Sequence, residues 1–163
     1  MNKQRFTIAS IEDNKPDFEL LKQALNDTEG VKFDLINIQN GENALDFLHK
    51  RGEYQTAPSP DLIILDINLP KISGLDILRS IKKDDKLKST PVIIFSTSDS
   101  EKDIEESYSL SANTYITKTF DLKELFKKIT MVVNYWFKTA ELPFKSNFSF
   151  LDKQSDIENK KDK

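Results

Sequence analysis

Short apolar segments alternate along this chain with longer segments in which apolar residues recur at helical spacing. The short segments are typical of strands, and they are Phe6–Ile11, Phe33–Ile38, Leu62–Leu65, Val92–Phe95 and Thr114–Thr117. A segment that predicts a helix follows each of them. Because strands that alternate with helices assemble into parallel sheets, the pattern predicts one doubly wound α/β domain.

The last predicted helix carries the most regular apolar stripe. The stripe repeats at helical spacing and consists of Leu122, Leu125, Phe126, Ile129, Val133 and Trp136. It is expected to face the sheet, and the helix is expected to end at Leu142–Pro143, because a residue before proline avoids the α region. The domain is expected to span residues 4–144, with a flexible polar tail over residues 145–163.

The last helix and the residues after it carry more large apolar side chains than one inward stripe requires. They widen the apolar surface and continue beyond the helix, at Met131, Val132, Tyr135, Phe137, Leu142, Phe144, Phe148 and Phe150. Such patches mark interfaces when they are exposed, so the sequence predicts a homodimer through the last helix and the segment after it. The alternative is that this segment folds back and covers the helix within one chain.

Composition argues against several classes of protein. The 163 residues include no cysteine, which excludes disulfides and thiolate metal sites. A formal net charge of -3 gives no electrostatic case for nucleic-acid binding, and no apolar run approaches the roughly 20 residues needed to span a bilayer. With His49 as its single histidine, the chain offers no support for a Ser-His-Asp or zinc constellation. We expect a cytoplasmic protein without nucleic-acid or membrane partners.

Polar residues stand at the carboxyl ends of the predicted strands, where ligands bind in an open parallel sheet. Glu12 and Asp13 follow the first strand, Asp66 the third, Ser96 the fourth and Lys118 the fifth. Clustered carboxylates favour a hard cation such as Mg²⁺, while a lysine and a hydroxyl can bind phosphoryl oxygens. The set is suited to phosphoryl transfer onto a carboxylate, which forms an aspartyl phosphate.

Some of these residues also have simpler interpretations. Asp66 could be an ordinary turn residue, and Glu12-Asp13 could be an acidic loop that caps the next helix. Thr97 lies beside Ser96, so a register slip of one residue would exchange the two hydroxyls. Ser96 is favoured because it directly follows the four apolar residues of its strand.

Four segments in order resemble the receiver domain of two-component signalling. They are Ile11–Asn14, Leu65–Gly74, Val92–Thr97 and Tyr115–Lys118, and the match runs from about Phe6 to Phe137. Each segment alone is a weak signal, but four at these spacings are specific. The resemblance implies a flavodoxin-like (βα)5 fold with a five-stranded parallel sheet in the order 2-1-3-4-5.

The resemblance also implies a role for each polar position. Asp66 would accept a phosphoryl group from a histidine of a partner kinase. Mg²⁺ would be bound by Glu12, Asp13, Asp66 and the backbone carbonyl of Asn68. Lys118 would pair with the acceptor and with its phosphoryl group.

Two further positions would respond to phosphorylation. Ser96 matches the switch hydroxyl, with Thr97 as its rival, and Tyr115 matches the aromatic that turns inward when that hydroxyl is recruited. A tyrosine in a strand is also consistent with simple packing. The stretch from Asp121 to Pro143 further resembles small receivers that pair with bacterial phytochrome-type histidine kinases. Output would then pass through protein contacts.

One position departs from the family pattern. Thr119 follows Lys118, where the family usually has a proline joined by a cis peptide. A cis bond costs about 2.5–4 kcal/mol before a non-proline residue, against roughly 0.5–1 kcal/mol before proline. Either the bond is trans and the loop differs, or other contacts hold it cis.

Two other functions would use the same residues. An Mg²⁺-dependent phosphohydrolase would use Asp66 as a transient nucleophile, but Asn68 stands where aspartate-nucleophile phosphatases carry a second aspartate as acid/base. An unphosphorylated pseudo-receiver would act as a docking module, and it would not need every polar position to be filled. We therefore expect a phosphorelay switch and not an enzyme.

Overall fold

The computed structural model describes residues 5–143, and its strands form one parallel sheet. The strands are β1 Arg5–Ile11, β2 Lys32–Ile38, β3 Leu62–Leu65, β4 Val92–Ser96 and β5 Thr114–Thr117. Their order in the sheet is β2-β1-β3-β4-β5, and each neighbouring pair is parallel. The structure therefore confirms the predicted fold class and strand order.

A helix follows each strand and begins with a polar capping side chain. The helices are α1 Lys15–Asn26, α2 Gly41–Leu48, α3 Gly74–Lys83, α4 Glu101–Ser109 and α5 Leu122–Asn134. The capping residues, whose side chains accept a hydrogen bond from a backbone N–H of the first turn, are Asn14, Asn40, Ser73, Ser100 and Asp121. A short 3₁₀ turn, Gly52–Tyr54, lies between α2 and β3.

The core consists of two apolar layers on opposite faces of the sheet. On one face, α1 and α5 pack through Leu21, Leu25, Leu125, Ile129 and Val133. On the other face, α2 and α3 pack through Ala44, Phe47, Ile77, Leu78 and Ile81. The central strand β3 is buried along its whole length, as expected for a strand covered on both faces. This sandwich leaves the carboxyl ends of the strands as an open edge.

The last helix differs from its sequence-based description at both ends. Leu122 was expected in the inward stripe, but it is 52% exposed. It is the first residue of α5, and the first turn lies at the carboxyl edge of β5, where no sheet lies beneath it. At the other end, α5 continues as a single π-helical turn over Tyr135–Thr139, so helical structure stops before Leu142–Pro143.

The surplus apolar residues of α5 fall into two groups. Met131 and Tyr135 are exposed, whereas Val132 and Phe137 pack against the core layer, as Trp136 of the inward stripe does. The Phe137 ring lies on that of Phe6, with a centroid separation of 4.3 Å. Phe144, Phe148 and Phe150, the domain end at 144 and the predicted tail lie outside the described residues. Within residues 5–143, no helix has the length and apolar character needed to span a membrane.

Candidate functional site

The ends of β1 and β3 bring two buried carboxylates together. Ile11 pairs with Leu65 in the sheet, so the next residues along each strand, Glu12 and Asp66, are neighbours. The Asp66 N–H donates to the carbonyl of Ile11 at 3.1 Å, which extends the pairing by one residue. Glu12 is 3% exposed and Asp66 is 6% exposed. The strand ends thus hold two acidic groups in a largely dry position.

Lys118 reaches this pair from the end of β5. Its backbone N–H donates to the carbonyl of Ser96 at 2.7 Å, which fixes the base of the side chain. Its ammonium Nζ lies 2.6 Å from Glu12 Oε2, 2.8 Å from Asp17 Oδ2 and 2.9 Å from Asp66 Oδ2. Only 7% of the lysine side chain is exposed. Glu12 and Asp66 are strand-end residues of the predicted site, whereas Asp17 comes from the first turn of α1.

Burial and ion pairing act in opposite directions on these groups. Burial raises the pKa of Glu12 to about 7, against the lowering effect of its hydrogen bonds to Lys118 and the Asn14 N–H. For Lys118, burial lowers the pKa, but hydrogen bonds from its ammonium to Asp17, Glu12 and Asp66 outweigh burial and raise it. Lys118 is therefore cationic at neutral pH, and it is the counter-charge for a crowded set of carboxylates.

Three carboxylates of the site could hold a divalent cation. Glu12, Asp13 and Asp66 each offer one carboxylate oxygen, and these oxygens lie within 4.8 Å of one another. The Asn68 N–H donates to Asp66 Oδ1 at 2.9 Å, so the Asn68 backbone lies next to them. Oxygen ligands with an exposed approach at Asp13 suit Mg²⁺ or a similar hard ion. Of the predicted metal-binding residues, the structure thus brings together all three carboxylates.

Ser96 and Thr97 have different environments. Ser96 is fully buried at the end of β4, whereas Thr97 is exposed. The Ser96 hydroxyl accepts from the Asn68 side-chain amide at 3.3 Å and from the Ser98 N–H at 3.3 Å. The Asn68 amide therefore connects the Ser96 hydroxyl to the loop that follows Asp66. Of the two candidate hydroxyls, the structure places Ser96 on the site.

Tyr115 lies on β5, where it pairs with Ile94 of β4, and it is half-buried. Its hydroxyl donates to the Ser98 carbonyl at 2.8 Å, and its backbone N–H donates to the Tyr108 hydroxyl at 3.1 Å. The pKa of Tyr115 is raised, chiefly by burial. The Ser98 hydroxyl in turn donates to Asp103 at 2.5 Å. Tyr115 thus joins β5 to the loop between β4 and α4. This link between β5 and the loop was not predicted from the sequence.

The departure at Thr119 does not displace the lysine. No cis peptide occurs within residues 5–143, so the Lys118–Thr119 bond is trans. The ammonium group nonetheless reaches the predicted acceptor. Asp17 is the site residue that sequence reasoning missed, and its signal was an acidic residue three positions after the capping Asn14, in a first turn that begins beside the site.

The chain is similar to known proteins in both sequence and fold. Residues 8–130 match the family model of the response regulator receiver domain. Response regulator Rcp1 of Synechocystis sp. is 40% identical, over 83% of this chain and 92% of Rcp1. The crystal structure of its Mn²⁺-bound form has a TM-score of 0.81 and covers 85% of this chain and 99% of that structure.

A second solved structure is similar over a comparable length. It is the phosphorylated cyanobacterial phytochrome response regulator RcpA, with 41% identity and a TM-score of 0.82. The match covers 86% of this chain and 100% of that structure. The family match agrees with the strand order and with the polar residues at the strand ends. The chain therefore belongs to the response regulator receiver domain family.

Proposed function

We propose that Asp66 of this response regulator is the residue that accepts a phosphoryl group from a histidine kinase. The observation that carries the proposal is the 2.9 Å contact between Lys118 Nζ and Asp66 Oδ2 beside the carboxylates of Glu12 and Asp13. It joins a nucleophile, a fixed cation and a set of metal ligands at one open edge. In the reaction, an Asp66 oxygen forms a bond to phosphorus while the bond from phosphorus to the kinase histidine nitrogen breaks.

Mg²⁺ is the proposed cofactor, held by the carboxylates of Glu12, Asp13 and Asp66 and by the backbone carbonyl of Asn68. When bound, it supplies positive charge next to the transferred phosphoryl group. Asp13 is exposed and is the most accessible of the three carboxylates. Glu12 already accepts from Lys118 through Oε2 and from the Asn14 N–H through Oε1. Glu12 is therefore expected to contribute less than Asp13 to the affinity for Mg²⁺.

Lys118 and Ser96 supply the remaining polar contacts. The Lys118 ammonium holds Asp66 before transfer and can neutralise a phosphoryl oxygen afterwards. The buried Ser96 hydroxyl accepts from the Asn68 amide and the Ser98 N–H, so its own proton can be donated to a second oxygen. Tyr115 is the proposed aromatic partner of this switch, since its hydroxyl is bonded to the Ser98 carbonyl in the adjoining loop.

The two other functions account for fewer of these contacts. A phosphohydrolase needs an acid/base beside Asp66, but the residue there is Asn68, whose amide does not titrate. A docking module without phosphorylation would need no buried lysine in contact with Asp66. We therefore propose a switch that acts through protein contacts and not an enzyme.

Phosphorylation by acetyl phosphate tests the acceptor directly. In the presence of Mg²⁺, intact-mass spectrometry should find one added phosphoryl group on the wild type and none on Asp66→Asn. Asp76→Asn, at an exposed position of α3, is the matched control and should be labelled like the wild type. Labelling of Asp66→Asn at the wild-type level would contradict the assignment.

A phytochrome-type histidine kinase is the proposed phosphoryl donor. Support comes from the similarity to RcpA, a cyanobacterial phytochrome response regulator. Purified, autophosphorylated kinases of phytochrome and non-phytochrome type should be compared as donors. Transfer should be fastest from the phytochrome-type kinase, and equal rates from both would remove this part of the proposal.

A homodimer through α5 and the following segment is also proposed. Met131 is 61% exposed and Tyr135 is 53% exposed, and together they leave an apolar patch on α5. Sedimentation at micromolar concentration should show a dimer that Met131→Glu weakens, whereas Asn43→Glu, at an exposed position of α2 on the other face of the sheet, should leave it unchanged. A monomer both with and without beryllofluoride, a phosphoryl mimic, would rule out the dimer.

A further inference from the structure

The ammonium group of Lys118 has no spare donor in this structure. An ammonium carries three N–H groups, and three carboxylates lie within 2.6–2.9 Å of Nζ. The side chain is 7% exposed, so water has little access to it. A phosphoryl oxygen can therefore bind Lys118 only if Glu12, Asp17 or Asp66 gives up its contact.

The three carboxylates differ in what that release costs. The exposed fractions of the side chains are 4% for Glu12, 7% for Asp66 and 32% for Asp17. A buried carboxylate that loses the ammonium keeps compensation only from a bound metal ion, and without one the loss is strongly destabilising. A carboxylate that is one-third exposed can exchange its cation for water at small cost. Asp17 is therefore the partner that Lys118 gives up most easily.

Asp17 also stands apart from the other acidic residues of the site. It is not one of the clustered carboxylates Glu12, Asp13 and Asp66. Its backbone N–H bonds to the capping side chain of Asn14 at 3.0 Å, and Pro16 lies in the same first turn of α1. The start of the helix thus depends on the Asp17 backbone and not on its carboxylate. Within residues 5–143, the polar group that the Asp17 carboxylate contacts is the Lys118 ammonium.

We propose that Asp17 is a positioning residue that holds Lys118 in the unphosphorylated protein and releases it to the incoming phosphoryl group. The inference rests on the proposed function of Asp66. Asp17 then competes with the phosphoryl group for one cation, and its negative charge opposes the arrival of another anion. The strength of phosphoryl binding in this receiver is therefore set partly by a residue outside the metal ligands and the acceptor.

Beryllofluoride binding provides the test, because the mimic occupies the phosphoryl position without a covalent transfer step. Titrations at saturating Mg²⁺, followed by ¹⁹F NMR, should compare the wild type with Asp17→Asn. The amide keeps the shape of the side chain and removes its charge, so the variant should bind beryllofluoride about fivefold more tightly, the upper range for a partly exposed ion pair. The gain should shrink as salt is raised, and Asp17→Glu should return the affinity towards the wild-type value.

Glu19→Gln is the matched control, because it removes the same charge from an exposed position of α1 away from the Lys118 ammonium. It should bind like the wild type. A second readout follows the lysine itself: the ¹⁵N resonance of the Lys118 ammonium should respond to Asp17→Asn before beryllofluoride is added and should be similar in both proteins afterwards. Asp17→Ala serves as a second variant if the amide perturbs the turn.

Each outcome has a distinct meaning. Tighter binding by Asp17→Asn but not by Glu19→Gln supports the proposal. Unchanged or weaker binding by Asp17→Asn, or an equal gain in Glu19→Gln, would overturn it while leaving Asp66 as the acceptor. A wild type that binds beryllofluoride no better than Asp66→Asn would overturn the proposed function, and this inference with it.

Discussion

Gly74 and Asp66 lie so close together that no other residue type fits at position 74. A Cβ built on Gly74 would lie 2.0 Å from the carbonyl oxygen of Asp66 and 2.7 Å from the Cα of Ile67. The Gly74 N–H also donates to the Ile67 carbonyl at 2.9 Å. The first residue of α3 is thus packed against the backbone of the proposed acceptor. The spacing between Asp66 and Gly74 is a physical requirement of the site.

Gly74→Ala should therefore damage both stability and the site. The contacts are with backbone atoms that cannot rotate away, so we expect a loss of about 3 kcal/mol in the free energy of unfolding, the upper range for overpacking. Urea denaturation measures the loss, and beryllofluoride titration measures the effect on Asp66. Gly52→Asn is the control: a Cβ at Gly52 would meet nothing within 4 Å, and asparagine tolerates its φ of +56°. Equal stability of Gly74→Ala and the wild type would contradict this account.

Strand positions could be predicted from the sequence because a strand buried on both faces requires a local run of apolar residues. Leu62–Leu65 is an unbroken apolar run, and it is the fully buried β3. The strand-end rule then placed Glu12, Asp66 and Lys118 at one edge, since parallel strands share the direction of their ends. Leu122 shows where the same logic fails. A helical stripe identifies the inward face of α5 but not where the sheet beneath it stops.

Asp17 could not be assigned to the site from sequence for a related reason. An acidic residue in the first turn of a helix is stabilised by the helix dipole wherever the helix lies, so Asp17 resembles an ordinary surface residue. Its contact with Lys118 joins residues 101 positions apart in sequence. That contact depends on the angle at which α1 leaves the sheet, which is a property of tertiary packing. The choice between Ser96 and Thr97 likewise required the exact end of β4.

Mg²⁺ affinity should depend more on Asp13 than on Asp17. Both residues are acidic, but Asp13 belongs to the carboxylate cluster, whereas Asp17 contacts the Lys118 ammonium. Asp13→Asn removes the carboxylate charge and leaves a neutral amide oxygen, a weaker ligand for a hard cation, so we expect Mg²⁺ affinity to fall by at least about tenfold, the lower range for lost outer contacts of a metal site. Asp17→Asn removes the same charge and should change the affinity by much less. Calorimetric titration of both variants decides the matter, and equal losses would show that bulk charge, not ligation, controls binding.

Ser96→Ala should weaken binding of beryllofluoride, whereas Thr97→Ala should not. The Ser96 hydroxyl is buried and has Asn68 and Ser98 as neighbours, so its loss removes a donor that no water can easily replace. A hydrogen bond to a charged group contributes about 1.5 kcal/mol, which corresponds to an affinity loss of roughly tenfold. Thr97 is exposed, and its truncation should stay within about twofold of the wild type. A larger loss of affinity in Thr97→Ala than in Ser96→Ala would show that Ser96 is not the switch hydroxyl.

The single histidine connects α2 to α3 and was not expected to have partners of this kind. His49 Nδ1 lies 3.1 Å from Asp84 Oδ2, and His49 Nε2 lies 2.9 Å from Ser80 Oγ. Because a carboxylate only accepts, Nδ1 donates to Asp84, and Nε2 shares the second hydrogen bond with the Ser80 hydroxyl. This order of residues resembles a hydrolytic triad. Ser80 lies inside α3, however, where backbone N–H groups bond within the helix and cannot bind an oxyanion.

The chain of hydrogen bonds should therefore contribute to stability. Ser80→Ala should lower the free energy of unfolding by about 1 kcal/mol, the usual value for one hydrogen bond. Asp84→Ala should cost more, about 2 kcal/mol, because Asp84 Oδ1 also accepts from the backbone N–H groups of Lys86 and Leu87, at 2.8 and 3.2 Å. The effects should not add in His49→Gln backgrounds, since residues in one network are energetically coupled. Urea denaturation of the single and double variants measures that coupling. Strict additivity of His49→Gln with both Ser80→Ala and Asp84→Ala would show that the three side chains act independently and that packing alone holds α2 against α3.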